Sequence, residues 1–140
     1  VSAAVGRLAP EALRAALLDG PAGADPAGEA LVGLLEAAGL LESPEFAGWC
    51  VYFDDDGYAE IDLAELACWW MAPVELTEVQ RRMVGAALSL VDLAAELREL
   101  PGATGRRVLE ALQAVVAGIE AGDAAAVAYQ AAVAAGGGPR

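Results

Sequence analysis

Residues 49–71, WCVYFDDDGYAEIDLAELACWWM, constrain the fold more than any other stretch. They gather all three tryptophans, both cysteines, two of the three tyrosines and the densest acidic cluster of the 140-residue chain. Residues 49–53 and 58–62 are rich in aromatic and β-branched side chains and flank Asp54, Asp55, Asp56 and Gly57, the pattern of a β-hairpin. Turn length decides which side chains share a face. A two-residue Asp56-Gly57 loop would place Val51 and Phe53 beside Tyr58, Glu60 and Asp62, mixing apolar with charged groups. A three-residue loop, with a type I turn and Gly57 left-handed as a bulge, pairs residue 54 with 58 and shifts the register by one. Trp49, Val51, Phe53, Ala59, Ile61 and Leu63 then share one face, and Cys50, Tyr52, Asp54, Tyr58, Glu60 and Asp62 the other. Only this register yields a face fit for a core.

A lone hairpin is marginal in water, so its apolar face needs a lid. The expected lid follows directly: Asp62 reads as an N-cap with Glu65 as its capping-box partner, and Leu63, Leu66, Ala67 and Trp70 recur at helical spacing up to a stop at Pro73. Trp69 lies about 100° round the helix from Trp70. Either this helix is buried on two sides or Trp69 is an anchor for a partner.

The rest of the chain reads as alanine-rich helix. Pro10 opens a helix carrying Leu13, Ala16 and Leu17 to a stop at Gly20-Pro21, and residues 21–25 read as a linker. Asp25 then caps a second helix with Leu31, Leu34, Leu35 and Ala38 on one face, ending at Gly39. Ser43-Pro44-Glu45 repeats the capping pattern with room for about one turn, and Phe46 is expected to plug the core. Thr77 and Gln80 form a further capping box that opens a helix to about Glu99. Along it Val79, Met83, Ala86, Leu90, Leu93, Leu97 and Leu100 follow coiled-coil spacing, with Val84, Ala87, Leu88 and Val91 widening the stripe. After Pro101-Gly102, Thr104 is expected to cap a helix bearing Val108, Leu112, Val115 and Ile119 antiparallel to its predecessor. Gly122 is expected to end it, with Asp123 capping a last, small-residue helix to Ala135. The expected architecture is mainly α: a single domain over residues 1–140, a small bundle of five to six helices with one inserted two-stranded β-hairpin at about 49–62. Residues 1–9 are expected to fray, and 136–140 to form a loose tail.

Composition bounds the chemistry. The chain has 8 basic and 21 acidic residues, a net charge of -13 and a pI near 4.1, so nucleic acid and anionic membrane are poor partners and a basic protein a good one. Every basic residue is arginine, and lysine, asparagine and histidine are absent, a bias expected of a GC-rich bacterial genome. Without histidine there is no Ser-His-Asp or Cys-His nucleophile system and no HExxH zinc site; without lysine there is no phosphate-binding loop or Schiff base. The N-terminal residues lack a secretory pattern and residues 124–139 form too weak an apolar run to span a bilayer, so the expectation is a cytoplasmic chain with reduced cysteines.

Carboxylate, tyrosine, cysteine and arginine chemistry remains. Asp54, Asp56 and Glu60 are weak candidates for a divalent cation. With Gly57 set at the glycine of a calcium-binding helix-loop-helix, however, Tyr52 falls where the first aspartate belongs and Leu63 where the bidentate glutamate belongs. A carboxylate enzyme would need a pairing such as Glu60 as acid with Asp62 or Asp54 as base, and no second wall of binding groups accompanies it. The functional expectation is a non-enzymatic protein-interaction module without cofactor, an inhibitor, immunity-type protein or adaptor. Tyr52, Asp54, Tyr58, Glu60, Asp62 and Trp69 would engage a basic partner. The alternative is a homodimer built on the heptad helix 77–100.

Overall fold

The computed structural model describes residues 8–72 and 75–136, and the chain divides into two compact units with the boundary between Ala95 and Glu96. The described residues carry six α-helices and one two-stranded antiparallel hairpin in the order α1 (Pro10–Asp19), α2 (Pro26–Ala37), α3 (Pro44–Cys50), β1 (Val51–Phe53), β2 (Ala59–Ile61), α4 (Leu63–Met71), α5 (Glu78–Glu99) and α6 (Gly102–Ala134). This is the mainly helical architecture with an inserted hairpin that the sequence predicts. Pro73, residues 1–7 and residues 137–140 lie outside the described residues, so the expected stop at Pro73 and nearly all of the expected fraying ends do too.

In the first unit the helix starts follow local chemistry. Asp25 accepts from the Ala27 N–H at 3.2 Å, Ser43 from the Phe46 N–H at 3.3 Å and Asp62 from the Glu65 N–H at 3.0 Å, each satisfying an N–H that has no partner within its helix. Both arms of the Thr77–Gln80 box form, at 3.0 and 3.1 Å. The Gln80 side-chain amide also donates to the Ala38 carbonyl at 3.1 Å, tying the start of α5 to the end of α2. Residues 21–25 are more than a linker: Pro21–Ala24 form a 3₁₀ turn packed against α1, α2 and β2.

One cluster forms the core, and every fully buried residue in it lies between Leu13 and Ala87. Leu13, Leu17, Leu35, Leu40, Phe46, Leu66 and Val84 are all at or below 1% exposure, each such burial contributing roughly 1.5–3 kcal/mol. The hairpin meets this core mainly through β2, which packs on α1 and the 3₁₀ turn, so the lid is built from the N-terminal elements and not from the helix that follows. Gly20 makes that approach feasible. A Cβ there would lie 2.6 Å from the Ala59 carbonyl oxygen.

Three expectations are corrected here. The helix that begins at Ser43 continues for seven residues to Cys50, so the alternation of the hairpin covers only 51–53 and 59–61. Cys50 is therefore fully buried instead of lying on a polar face, and Trp49 is 62% exposed instead of lining the core. On α4 the buried groups are Leu66 and Trp69, while Leu63 is exposed, because the helix packs across α3, where Phe46 meets Trp69 edge to face at 6.0 Å. On α5 the residues that widen the stripe, Val84 and Ala87 with Leu88 and Val91 beside them, make the core contact, whereas Val79 and Leu90 of the heptad seam are exposed.

Trp70 latches α4 to α5. Its indole N–H donates to the Arg81 carbonyl at 2.8 Å, and the Arg81 guanidinium donates to the Trp70 carbonyl at 2.7 Å.

The second unit is dominated by α6, which runs unbroken through 33 residues. Thr104 does not cap it; the helix begins behind Pro101, whose carbonyl accepts from the Thr104 and Gly105 N–H groups. Gly122 does not end it either, because a glycine inside a strongly helical alanine context lowers helix propensity by only about 1 kcal/mol. No residue of α6 is buried. With no break at Gly122, α6 is long and apolar enough to cross a membrane by length and composition, its best window having a mean hydropathy of 1.3. It also carries Arg106, Arg107, Glu110, Glu120 and Asp123 along its length.

Candidate functional site: an aromatic and acidic face

The hairpin adopts the register its composition demands. Val51 pairs with Ile61, Tyr52 with Glu60 and Phe53 with Ala59. Asp54 and Tyr58 close the ladder through the Asp54 N–H to the Tyr58 carbonyl at 2.9 Å, and the Gly57 N–H donates to the Asp54 carbonyl at 3.0 Å. Gly57 sits at φ 85°, the left-handed bulge position that favours glycine. One face buries Val51, Ala59 and Ile61, but Phe53 on that face, expected in the core, is 38% exposed near the turn; the other presents Tyr52, Tyr58 and Glu60 to solvent.

On that outer face the residues divide by task. Asp54 holds the turn, its Oδ1 accepting from the Asp56 N–H at 3.0 Å and the Tyr58 N–H at 2.8 Å. Asp62 caps α4. Tyr52 donates its phenol hydrogen to Glu60 Oε2 at 2.8 Å across the strands. That bond, reinforced by the negative charge of Glu60, Asp62 and Asp54, raises the Tyr52 pKa above its ordinary value. Tyr58 is 48% exposed and Tyr52 39%. Among the described residues no three cysteine or acidic side chains, Asp54, Asp56 and Glu60 included, are grouped so as to hold a metal ion.

Trp69 is not an anchor. It is 94% buried against Phe46, and its indole N–H is buried with no acceptor among the described residues. The aromatic group that the sequence reading missed is Trp49. Continuing α3 to Cys50 turns Phe46, Ala47 and Cys50 inward, and Trp49 falls about 100° away from the centre of that arc. The Phe46–Ala47–Cys50 spacing behind a Ser-Pro-Glu cap was the signal that could have shown it.

Three adjoining depressions share Trp49. One, of about 240 Å³, is lined by Glu45, Trp49, Glu65, Cys68, Trp69 and Ala72. Pro44, Glu45, Gly48 and Trp49 line a second, and Trp49, Val51, Tyr52, Asp62 and Glu65 a third that leads to the hairpin face. Trp49 thus stands exposed among Glu45, Asp62 and Glu65, with Tyr52 beside it.

The two cysteines differ sharply and both are free thiols. Burial, with added repulsion from Glu65 and Asp62, pushes the Cys50 thiol up to about 12, which keeps it neutral and inert. Cys68 is exposed at the rim of the first depression.

Arg81 donates to the Trp70 carbonyl, and Arg82 pairs with Glu78 at 2.9 Å, one turn away on α5. No family model, curated protein or solved structure matches the chain.

Proposed function

We propose that the protein is a non-enzymatic interaction module that holds a basic partner protein on the face formed by Trp49, Tyr52, Tyr58, Glu60 and Glu65, serving as an inhibitor, immunity-type protein or adaptor. The observation that carries this reading is Trp49, a tryptophan 62% exposed within a ring of carboxylates and beside an exposed tyrosine. Tryptophan and tyrosine are enriched among the few residues that carry most of the binding energy at interfaces. The net charge of -13 gives the partner its sign. Relative to the sequence expectation, Asp54 and Asp62 move from contact to support, Trp69 leaves the face, and Trp49 and Glu65 join it.

The test is affinity capture on the wild-type chain and on a Tyr52→Ala, Tyr58→Ala, Glu60→Arg variant, in parallel at low and high salt. A basic protein retained by the wild type, lost by the variant and weakened by salt is the expected result. Identical captures by both chains would remove Tyr52, Tyr58 and Glu60 from the binding surface.

A second reading, a homodimer using the heptad helix, is favoured by the exposure of Val79 and Leu90 on the seam of α5. Sedimentation equilibrium of the wild type and a Val79→Glu, Leu90→Glu variant decides it.

A further inference from the structure

We infer that α6 docks antiparallel on α6 of a second copy of this chain, through the stripe formed by Val108, Leu109, Leu112, Val115, Val116 and Ile119. At about 100° per residue these six fall within an arc of about 120° around the helix, and Arg106, Arg107, Glu110 and Gln113 lie outside it. The stripe is open to solvent. Leu109, Leu112, Val115, Val116 and Ile119 are each 38–60% exposed, and α6 holds eight of the sixteen exposed large hydrophobic side chains among the described residues. Val108, Leu112, Val115 and Ile119 follow alternating steps of four and three, the spacing of a two-helix seam. In an antiparallel pair, the register that sets Leu112 opposite Val115 also sets Val108 opposite Ile119 and Gly105 opposite Gly122, so apolar residues meet apolar ones and the glycines allow close approach. Residues 102–125 then overlap, roughly 36 Å of helix at about 1.5 Å per residue.

Charge selects both the occupant and its direction. Residues 96–140 hold 5 acidic and 4 basic residues, against 16 and 4 in residues 1–95. The second unit is therefore nearly neutral, so a second copy meets little net repulsion on it and a basic partner finds little attraction. Asp123 falls within the apolar arc one turn beyond Ile119, and Glu120 falls at its edge. A parallel pair would set Asp123 against Asp123. A bilayer would bury both carboxylates near the middle of the apolar run 111–134, where an unpaired charge is expensive. The antiparallel pair instead sets both level with the first turns of the second copy's α6, at the positive end of its dipole and on the same flank as its Arg106. This docking does not depend on the hairpin face; a dimer built this way carries two copies of it.

Sedimentation equilibrium of the full chain at micromolar concentration tests the assignment. The wild type should be dimeric. Val115→Glu, Ile119→Glu, checked for unchanged helicity by circular dichroism, should raise the dissociation constant by about tenfold or more, and Val79→Glu, Leu90→Glu on α5 should leave it within about twofold. Asp123→Arg should weaken the dimer, and adding Arg106→Asp should restore it. Direction is read by electron double resonance on a nitroxide at Ala134→Cys in a Cys68→Ala background, Cys50 being buried and neutral. The antiparallel pair places the two labels about 60 Å apart and a parallel pair within about 20 Å. A monomeric wild type, a dimer broken by the α5 variant and not by the α6 variant, no restoration by Arg106→Asp, or the short label distance would each overturn the assignment. So would flotation of the wild type with phosphatidylcholine vesicles that the α6 variant loses, which would make a bilayer the occupant of the stripe.

Discussion

At the scale of single residues, this chain separates side chains that look alike in sequence. Trp49, Trp69 and Trp70 have three fates: exposed in a carboxylate ring, buried against Phe46, and hydrogen-bonded as a latch to α5. Trp69→Ala and Phe46→Ala should each lower unfolding free energy by about 3–5 kcal/mol, and Trp49→Ala by no more than about 0.5 kcal/mol, as read by urea denaturation. A large loss in Trp49→Ala would place that ring in the core. Cys50 gives a pH signature. Its folded-state pKa of about 12 lies above the ordinary thiol value of 9.0, so the unfolded chain releases the proton first as pH rises. The stabilisation is complete below about pH 9 and declines through the alkaline range by up to about 1.4 kcal/mol per pH unit. With no lysine to titrate there, the difference between wild type and Cys50→Ala, measured at pH 8, 9 and 10, isolates this slope. Parallel stability curves for the two chains would contradict a buried neutral thiol. The cap residues Asp25, Ser43 and Asp62 were legible in sequence because each side chain bonds a backbone N–H only two or three residues away. The exposure of Trp49 was not, because it depends on where helix yields to strand, and aromatic 49–53 suits either state.

At the scale of elements, the hairpin was the most readable part. A loop of the Asp-Asp-Gly type with period-two flanks admits one register that sorts polar from apolar, and Gly57 takes the conformation this requires. Its lid was not readable, because α1 and the 3₁₀ turn lie more than thirty residues before β2 and pair with it only through the tertiary fold. The close approach of Gly20 to Ala59 predicts that Gly20→Ala destabilises the first unit by about 1–3 kcal/mol in the same denaturation assay, through displacement of β2. In the second unit, Gly122 reads in sequence as a helix stop, yet the helix runs on through it. Because a Cβ at Gly118 or Gly122 meets nothing within 4 Å, Gly118→Ala, Gly122→Ala should increase helicity by circular dichroism and stabilise α6 by up to about 1 kcal/mol per site. A loss of helicity would show that one of these glycines ends a helix.

At the scale of the whole molecule, the buried core of the described residues lies in the first unit, and so does nearly all of the net charge of -13: residues 1–95 hold 16 acidic and 4 basic residues, residues 96–140 only 5 and 4. Every fully buried residue lies between Leu13 and Ala87, so the segment 1–95 should retain a single cooperative unfolding transition by calorimetry; loss of that transition would assign residues 96–140 a part in the core. Charge and composition alone pointed to a basic partner, since both are properties of the whole chain and need no fold to be read. The location of the proposed face needed the structure, in which Trp69 is buried, Trp49 is exposed, Asp54 holds the turn and Asp62 caps α4. The most direct measurement of the central claim is amide hydrogen exchange on the captured complex against the free chain. The account predicts slowed exchange concentrated in residues 45–69, which span α3, the hairpin and the rim of α4. Protection confined to residues 78–134 would contradict it and make the long helices the binding surface.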